Sequence, residues 1–168
     1  MDFKVKQCSV LDAGAEVIVN AANNYLSSGG GVCGAIFAKA GYEELEAECR
    51  EYGYVETGNV AITNGFGTGA RYIIHAVGPN IWNGKDNWQE KLASAYRNSL
   101  LTADDAGAKS IAFPCISTGM FGCPLEEAAS IAIGVVSNFK SGILETCYLC
   151  CFTEEEYRVY INILDNAN

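Results

Sequence analysis

Histidine is nearly absent from this 168-residue chain: His75 is the only one, and 11 Lys and Arg stand against 20 Asp and Glu. Each shortage excludes something. A tetrahedral zinc site draws on Cys and His together. The CxxCC run of Cys147, Cys150 and Cys151, set among apolar residues, is therefore expected to be buried core thiols and not a metal site. The net charge of −9 and pI near 4.5 argue against binding a nucleic-acid duplex, because that affinity comes from Lys and Arg neutralising phosphates. No apolar run approaches the roughly 20 residues of a membrane span, so no membrane partner is expected. Met1-Asp2-Phe3-Lys4 lacks the apolar stretch of a secretory leader, and the chain is longer than the small scaffolds that depend on disulfides. Its eight cysteines are therefore expected to be reduced, in a cytoplasmic protein. No Walker A sequence is present.

Apolar residues, in contrast, make up 49% of the chain, enough for one globular domain over residues 1–168 with a substantial core. The most informative stretch is Val17 to Gly34, VIVNAANNYLSSGGGVCG. Val17-Ile18-Val19 is a β-branched run suited to a buried strand. Asn20, Asn23 and Asn24 surround Ala21 and Ala22, which places compact amides where small side chains admit another molecule. Gly29, Gly30 and Gly31 can take positive φ and turn their N–H groups toward an anion. A helix predicted over residues 35–40 adds unpaired donors and a positive dipole end, a good seat for a phosphate.

The rest of the chain alternates strand and helix. Strands are predicted over residues 3–8, 17–20, 59–63, 72–77, 110–113 and 146–152. Helices are predicted over 42–52, where Glu43, Glu44, Glu46, Glu48 and Glu51 read as a solvated face, from an Asp86 N-cap to near Gly107, and over 125–139 behind Pro124. Thr153 and Glu156 form a capping box for a terminal helix. This alternation implies a mostly parallel sheet with helices on both faces. In such sheets ligands bind beyond the carboxyl ends of the strands, so the loop after residue 113, Pro114 to Gly122, can face the glycine loop across one cleft. Two phosphate-friendly loops suggest a diphosphate. The literal G-x-G-x-x-G of Gly29 to Gly34 is a poor dinucleotide fingerprint, because eight residues separate it from Asn20 and Glu56 precedes its strand instead of ending one. His75, between Ile74 and Ala76, reads as a satisfied core histidine and not a catalytic base.

NAAN, GGGVCGAIF, IIHAVGP and PCISTGMFGCP, in this order and spacing, resemble the macro domain family, in particular its bacterial branch similar to the MacroD hydrolases. The likeness covers nearly the whole chain. It implies a three-layer α/β/α sandwich around a mixed, mostly parallel sheet that binds ADP-ribose or an ADP-ribosylated protein. It further implies hydrolysis of mono-ADP-ribose from acidic side chains, with deacetylation of O-acetyl-ADP-ribose as a related activity. No cofactor is implied, and a monomer is expected. By the same resemblance, Asn23 contacts the distal ribose, and Gly29, Gly30, Gly31 and Val32 with Ser117, Thr118, Gly119, Met120 and Phe121 clasp the diphosphate. Phe121 shields the distal ribose. Phe152 is either a platform for adenine or an ordinary core aromatic; Ser9, Val10, Asn20 and Ala22 complete the ligand-binding set, Asn20 being equally readable as a structural amide that ties strand to loop.

Three departures from the family pattern stand out. Cys33 occupies a position where an Asp that would orient water is common, Phe37 replaces a His, and Ser9 replaces the Asp expected to accept from the adenine amino group. A hydroxyl accepts more weakly than a carboxylate, by about 1 kcal/mol. Asn23, Cys33 and Phe121 are the expected catalytic positions. Two functions stay open: an ADP-ribosyl hydrolase, and a module that reads ADP-ribose without turning it over.

Overall fold

The computed structural model describes residues 1–167; Asn168, the last residue of the expected domain, lies outside the described residues. Six strands form one sheet: β1 (Asp2–Gln7), β2 (Val17–Ala22), β3 (Val60–Asn64), β4 (Tyr72–Val77), β5 (Ser110–Phe113) and β6 (Thr146–Cys151), in the order β1-β6-β5-β2-β4-β3. Every neighbouring pair is parallel except β3 with β4. The sheet is thus mixed and mostly parallel, as the alternation of elements implied.

Five helices cover it: α1 (Gly31–Ala40), α2 (Tyr42–Tyr52), α3 (Trp88–Asp105), α4 (Leu125–Asn138) and α5 (Glu154–Asn166). On one face Leu92, Tyr96 and Leu100 of α3, Ala129 and Ala132 of α4 and Tyr160 of α5 pack against Val19, Ile74, Ile111 and Leu149 of the strands. On the other face Ile36 and Phe37 of α1 and Leu45 and Cys49 of α2 pack against Ile18, Ile73 and Ala112. The inner strands β2, β4 and β5 are buried on both faces and read as continuous apolar runs, whereas the edge strand β1 is open on one side and alternates. Among the described residues, no helix is long and apolar enough to cross a membrane.

Two expected boundaries move. The helix predicted over residues 35–40 starts at Gly31: Gly30 is extended at the N-cap and Gly31 takes φ +58°, so the glycine run leads straight into the first helical turn. Asp86 is not the cap of α3. Asn87 holds that position in a left-handed conformation (φ 55°) that Asn tolerates better than most residues, and it makes no side-chain cap. The capping box of α5 is present, Thr153 accepting from the Glu156 N–H and Glu156 from the Thr153 N–H.

Leu92 is fully buried in the core beneath α3 and does not line the large cleft described below. Leu92→Ala should lower unfolding free energy by about 2–5 kcal/mol, the usual penalty for a core cavity, as read by chemical denaturation. A loss below about 1 kcal/mol would mean the helix face can collapse onto the vacancy.

Candidate functional site

β2 and β5 are neighbours for only two residues, Val17 with Ile111 and Ile18 with Ala112. Beyond that point β2 continues to Ala22 beside β4, while β5 follows β6. The sheet therefore forks at its carboxyl end, and a cleft of about 680 Å³ opens in the fork. That size suits a ligand of nucleotide scale.

The first wall is the loop after β2. Asn23 organises it: its amide nitrogen donates to Ser27 O (3.1 Å) and Ser27 Oγ (3.0 Å), and its oxygen accepts from the N–H groups of Tyr25 and Ser27 (3.1 Å each). The turn delivers Gly29 to Val32, all of which line the cleft, to the start of α1. A Cβ on Gly34 would stand 2.6 Å from the Gly29 carbonyl oxygen, so glycine is required for the loop to close this tightly on the helix. The first N–H groups of α1 have no carbonyl one turn earlier, and their residues Gly31, Val32 and Cys33 line the cleft.

The second wall, Ser117 to Phe121, is held at its base by buried Tyr96, whose hydroxyl donates to Pro114 O (3.3 Å) and accepts from Ile116 N–H (3.2 Å). At its rim it is tied by Ile81 N–H to Phe121 O (3.0 Å) and by Trp82 Nε1–H to Met120 O (3.0 Å). Ser117 is a non-glycine residue at φ +67°, and among the described residues its buried hydroxyl meets only the Cys123 thiol. Backbone strain of that kind costs about 1–3 kcal/mol and collects where a loop is shaped for function.

The structure brings most of the expected positions together and leaves two out. Ser9, Val10, Asn23, Gly29 to Val32, Cys33, Ser117 to Phe121 and Phe152 all line the cleft. Asn20 and Ala22 do not: both are 1% exposed and face the opposite side of β2 from Ala21 and Asn23, as strand alternation requires. Asn20 lies behind Cys33, its amide nitrogen 3.6 Å from the Cys33 sulfur and 3.1 Å from His75 Nδ1. Phe152 is 76% exposed and so is not a core aromatic. Ser9 Oγ already accepts from Leu11 N–H (3.2 Å) as the cap of a short turn over Val10–Asp12. Lining residues outside the expected ligand-binding set are Cys8, Ala21, Ala35, Pro114, Cys115, Cys150, Thr153 and Glu156. Several sit one or two residues past a strand end, a position that becomes meaningful once the strand order is known.

The electrostatics are unusual for a phosphate-scale cleft: among the described residues no Lys or Arg lines it, and Glu156 is its only carboxylate. Burial pushes the Cys33 thiol up, partly opposed by hydrogen bonds from Asn20 and the Gly29 backbone, so the sulfur is neutral near pH 7. All eight cysteines are free, and among the described residues no group of His, Cys, Asp and Glu is arranged to hold a metal ion. His75 is fully buried, and both ring nitrogens have polar neighbours: Nδ1 lies 3.1 Å from the Asn20 amide nitrogen and Nε2 3.0 Å from Thr63 Oγ1.

The Macro domain family model matches residues 19–132. The O-acetyl-ADP-ribose deacetylase of Escherichia fergusonii is 45% identical over 166 residues, covering 95% of this chain and 93% of that protein. A macro domain-containing protein of Chlorobaculum tepidum is 48% identical over 149 residues, covering 86% and 85%. Among solved structures, the Oceanobacillus iheyensis macrodomain with ADP superposes with a TM-score of 0.91 at 38% identity, covering 98% of this chain and 90% of that one. The Trypanosoma brucei macrodomain in complex with ADP-ribose gives 0.88 at 38% identity, covering 96% and 68%.

Burial lowers the His75 pKa to about 4, below the roughly 6.5 of the unfolded chain. Between these values the unfolded state binds the extra proton, so the neutral ring's contribution is complete above about pH 6.5 and is lost as pH falls toward 4. Unfolding free energy should therefore rise by about 1 kcal/mol per pH unit between pH 5 and 6. The same denaturation series on His75→Gln should be nearly flat there; an equal slope in both proteins would assign it to carboxylates instead.

Proposed function

The chain belongs to the macro domain family, and from that premise we propose that its cleft binds ADP-ribose and hydrolyses mono-ADP-ribose from acidic side chains of modified proteins. The observation that carries this reading is the cleft's means of holding an anion: two opposed loops of backbone donors, at the start of α1 and at Ser117 to Phe121, without any cationic side chain. A diphosphate fits this arrangement. The adenine then lies toward Phe152 and Ser9, and the distal ribose toward Asn23 and Phe121.

The chemistry follows from what the cleft lacks. Apart from its thiols, its one ionisable side chain is Glu156, at the Phe152 end, so no general acid stands near the distal ribose. A departing carboxylate of pKa about 4.3 needs no protonation to leave. Water oxygen bonds to the anomeric carbon while the bond from that carbon to the carboxylate oxygen breaks. The carboxylate takes the electron pair, and the water's proton passes to solvent. The substrate's own diphosphate orients the water and stabilises the cationic ribose centre. Asn23 sets the loop that holds the ribose; to donate to a ribose hydroxyl, its amide gives up Ser27 Oγ. Cys33 supplies packing and no charge, so the rate is modest. An acetyl ester on ADP-ribose, the substrate named for the Escherichia fergusonii relative, is a second substrate of the same cleft.

A non-catalytic reader is favoured by one observation, the neutral Cys33 thiol where a carboxylate would orient water. The test is release of ADP-ribose from a protein mono-ADP-ribosylated on glutamate. Native protein should release it. Asn23→Ala should release it at least about tenfold more slowly while its ADP-ribose affinity falls by less than that. Cys33→Asp, with Asn20 and the helix start as donors to the new carboxylate, should be about tenfold faster than native. Binding of ADP-ribose without release by the native protein would establish the reader.

A further inference from the structure

The Phe152 end of the cleft holds a carboxylate that has no part in the hydrolysis. Glu156 lies in the first turn of α5, and its Oε1 accepts from Thr153 N–H (2.9 Å) and Thr153 Oγ1–H (3.1 Å). Those bonds fix the side chain while its second oxygen, Oε2, has no protein donor among the described residues. The carboxylate also makes itself felt inside the cleft. The Cys115 thiol is raised chiefly by its contact with Cys151 and by burial, and the charge of Glu156 adds to that. Nearby, Phe152 offers an open aromatic face, and Ser9 Oγ has committed one lone pair to Leu11 N–H.

A carboxylate can only accept hydrogen bonds. It repels the diphosphate, which keeps that group at the two backbone loops, and it attracts a base that presents an amino group. We propose that Glu156 is the base-selecting residue of this cleft, its Oε2 accepting from the exocyclic amino group of adenine where Ser9 offers only a hydroxyl. The assignment rests on the ADP-ribose reading above. It makes the ligand class a diphosphate of an amino-bearing purine: hypoxanthine puts a carbonyl oxygen where adenine has its amino group, and two acceptors then face each other.

Calorimetric titration with ADP-ribose and with its hypoxanthine counterpart tests this. Native protein should prefer ADP-ribose by roughly tenfold or more. Glu156→Gln keeps an N3 side chain that can close the capping box but turns a donor toward the base, so the preference should shrink to within about threefold or reverse, with little change in thermal midpoint. Glu155→Gln removes the same charge from an exposed neighbour outside the cleft and should leave the preference intact. Equal affinity of the native protein for both nucleotides, or an unchanged preference in Glu156→Gln, overturns the assignment. Failure of native protein to bind ADP-ribose at all overturns the reading beneath it.

Discussion

The structure depends on a pairing that stops early. Because β2 and β5 share only Val17–Ile111 and Ile18–Ala112, the two central strands part where a continuous parallel sheet would keep them together. Everything at the site follows from that parting. The loops that leave the two strands are neighbours at their roots and separated at their tips, so they face each other as walls. The floor is made of residues just past strand ends, small or sulfur-bearing, that fill the base of the fork without closing it. The two helical layers brace the fork from both sides through separate cores, so neither loop has to supply the stability of the fold.

Much of this was legible in the sequence, because buried parallel strands are written as short β-branched runs with turns between them. Val17 to Val19, Tyr72 to Val77 and Ser110 to Phe113 are strands where the pattern places them, and the Thr153–Glu156 box marks the start of α5. The glycine run was harder to read. Its residues suit a loop, yet Gly31 begins a helix, since freedom at φ permits a tight first turn as readily as an open one. The facing of β2 was also hidden. Asn20 and Asn23 look equivalent as amides, but the strand turns Asn20 into the core toward His75 and Asn23 toward the cleft. Glu156 gave no separate signal: its capping role was plain, and its second role emerged only once α5 was seen to start at the cleft.

Buried polar groups tie the core to the first wall. From Cys33 at the cleft, the Asn20 amide leads to the His75 ring, and from there to Thr63 on the edge strand. The chain of contacts crosses β2, β4 and β3 and holds a ring that burial keeps without a net charge. It fixes the backs of residues whose fronts form the cleft. A neutral chain of this kind suits the proposed anion seat of backbone dipoles, since a buried ion would add a field those dipoles do not need.

The absence of cations around the cleft also shapes how quickly it fills. A chain of net charge −9 repels any anion until the last few ångströms, where the loop dipoles take over. Added salt screens that long-range repulsion while leaving the short-range contacts largely untouched. For an anionic ligand, capture therefore quickens as ionic strength rises, the reverse of sites built from Lys and Arg, and the residence time is set by the short-range contacts of the cleft.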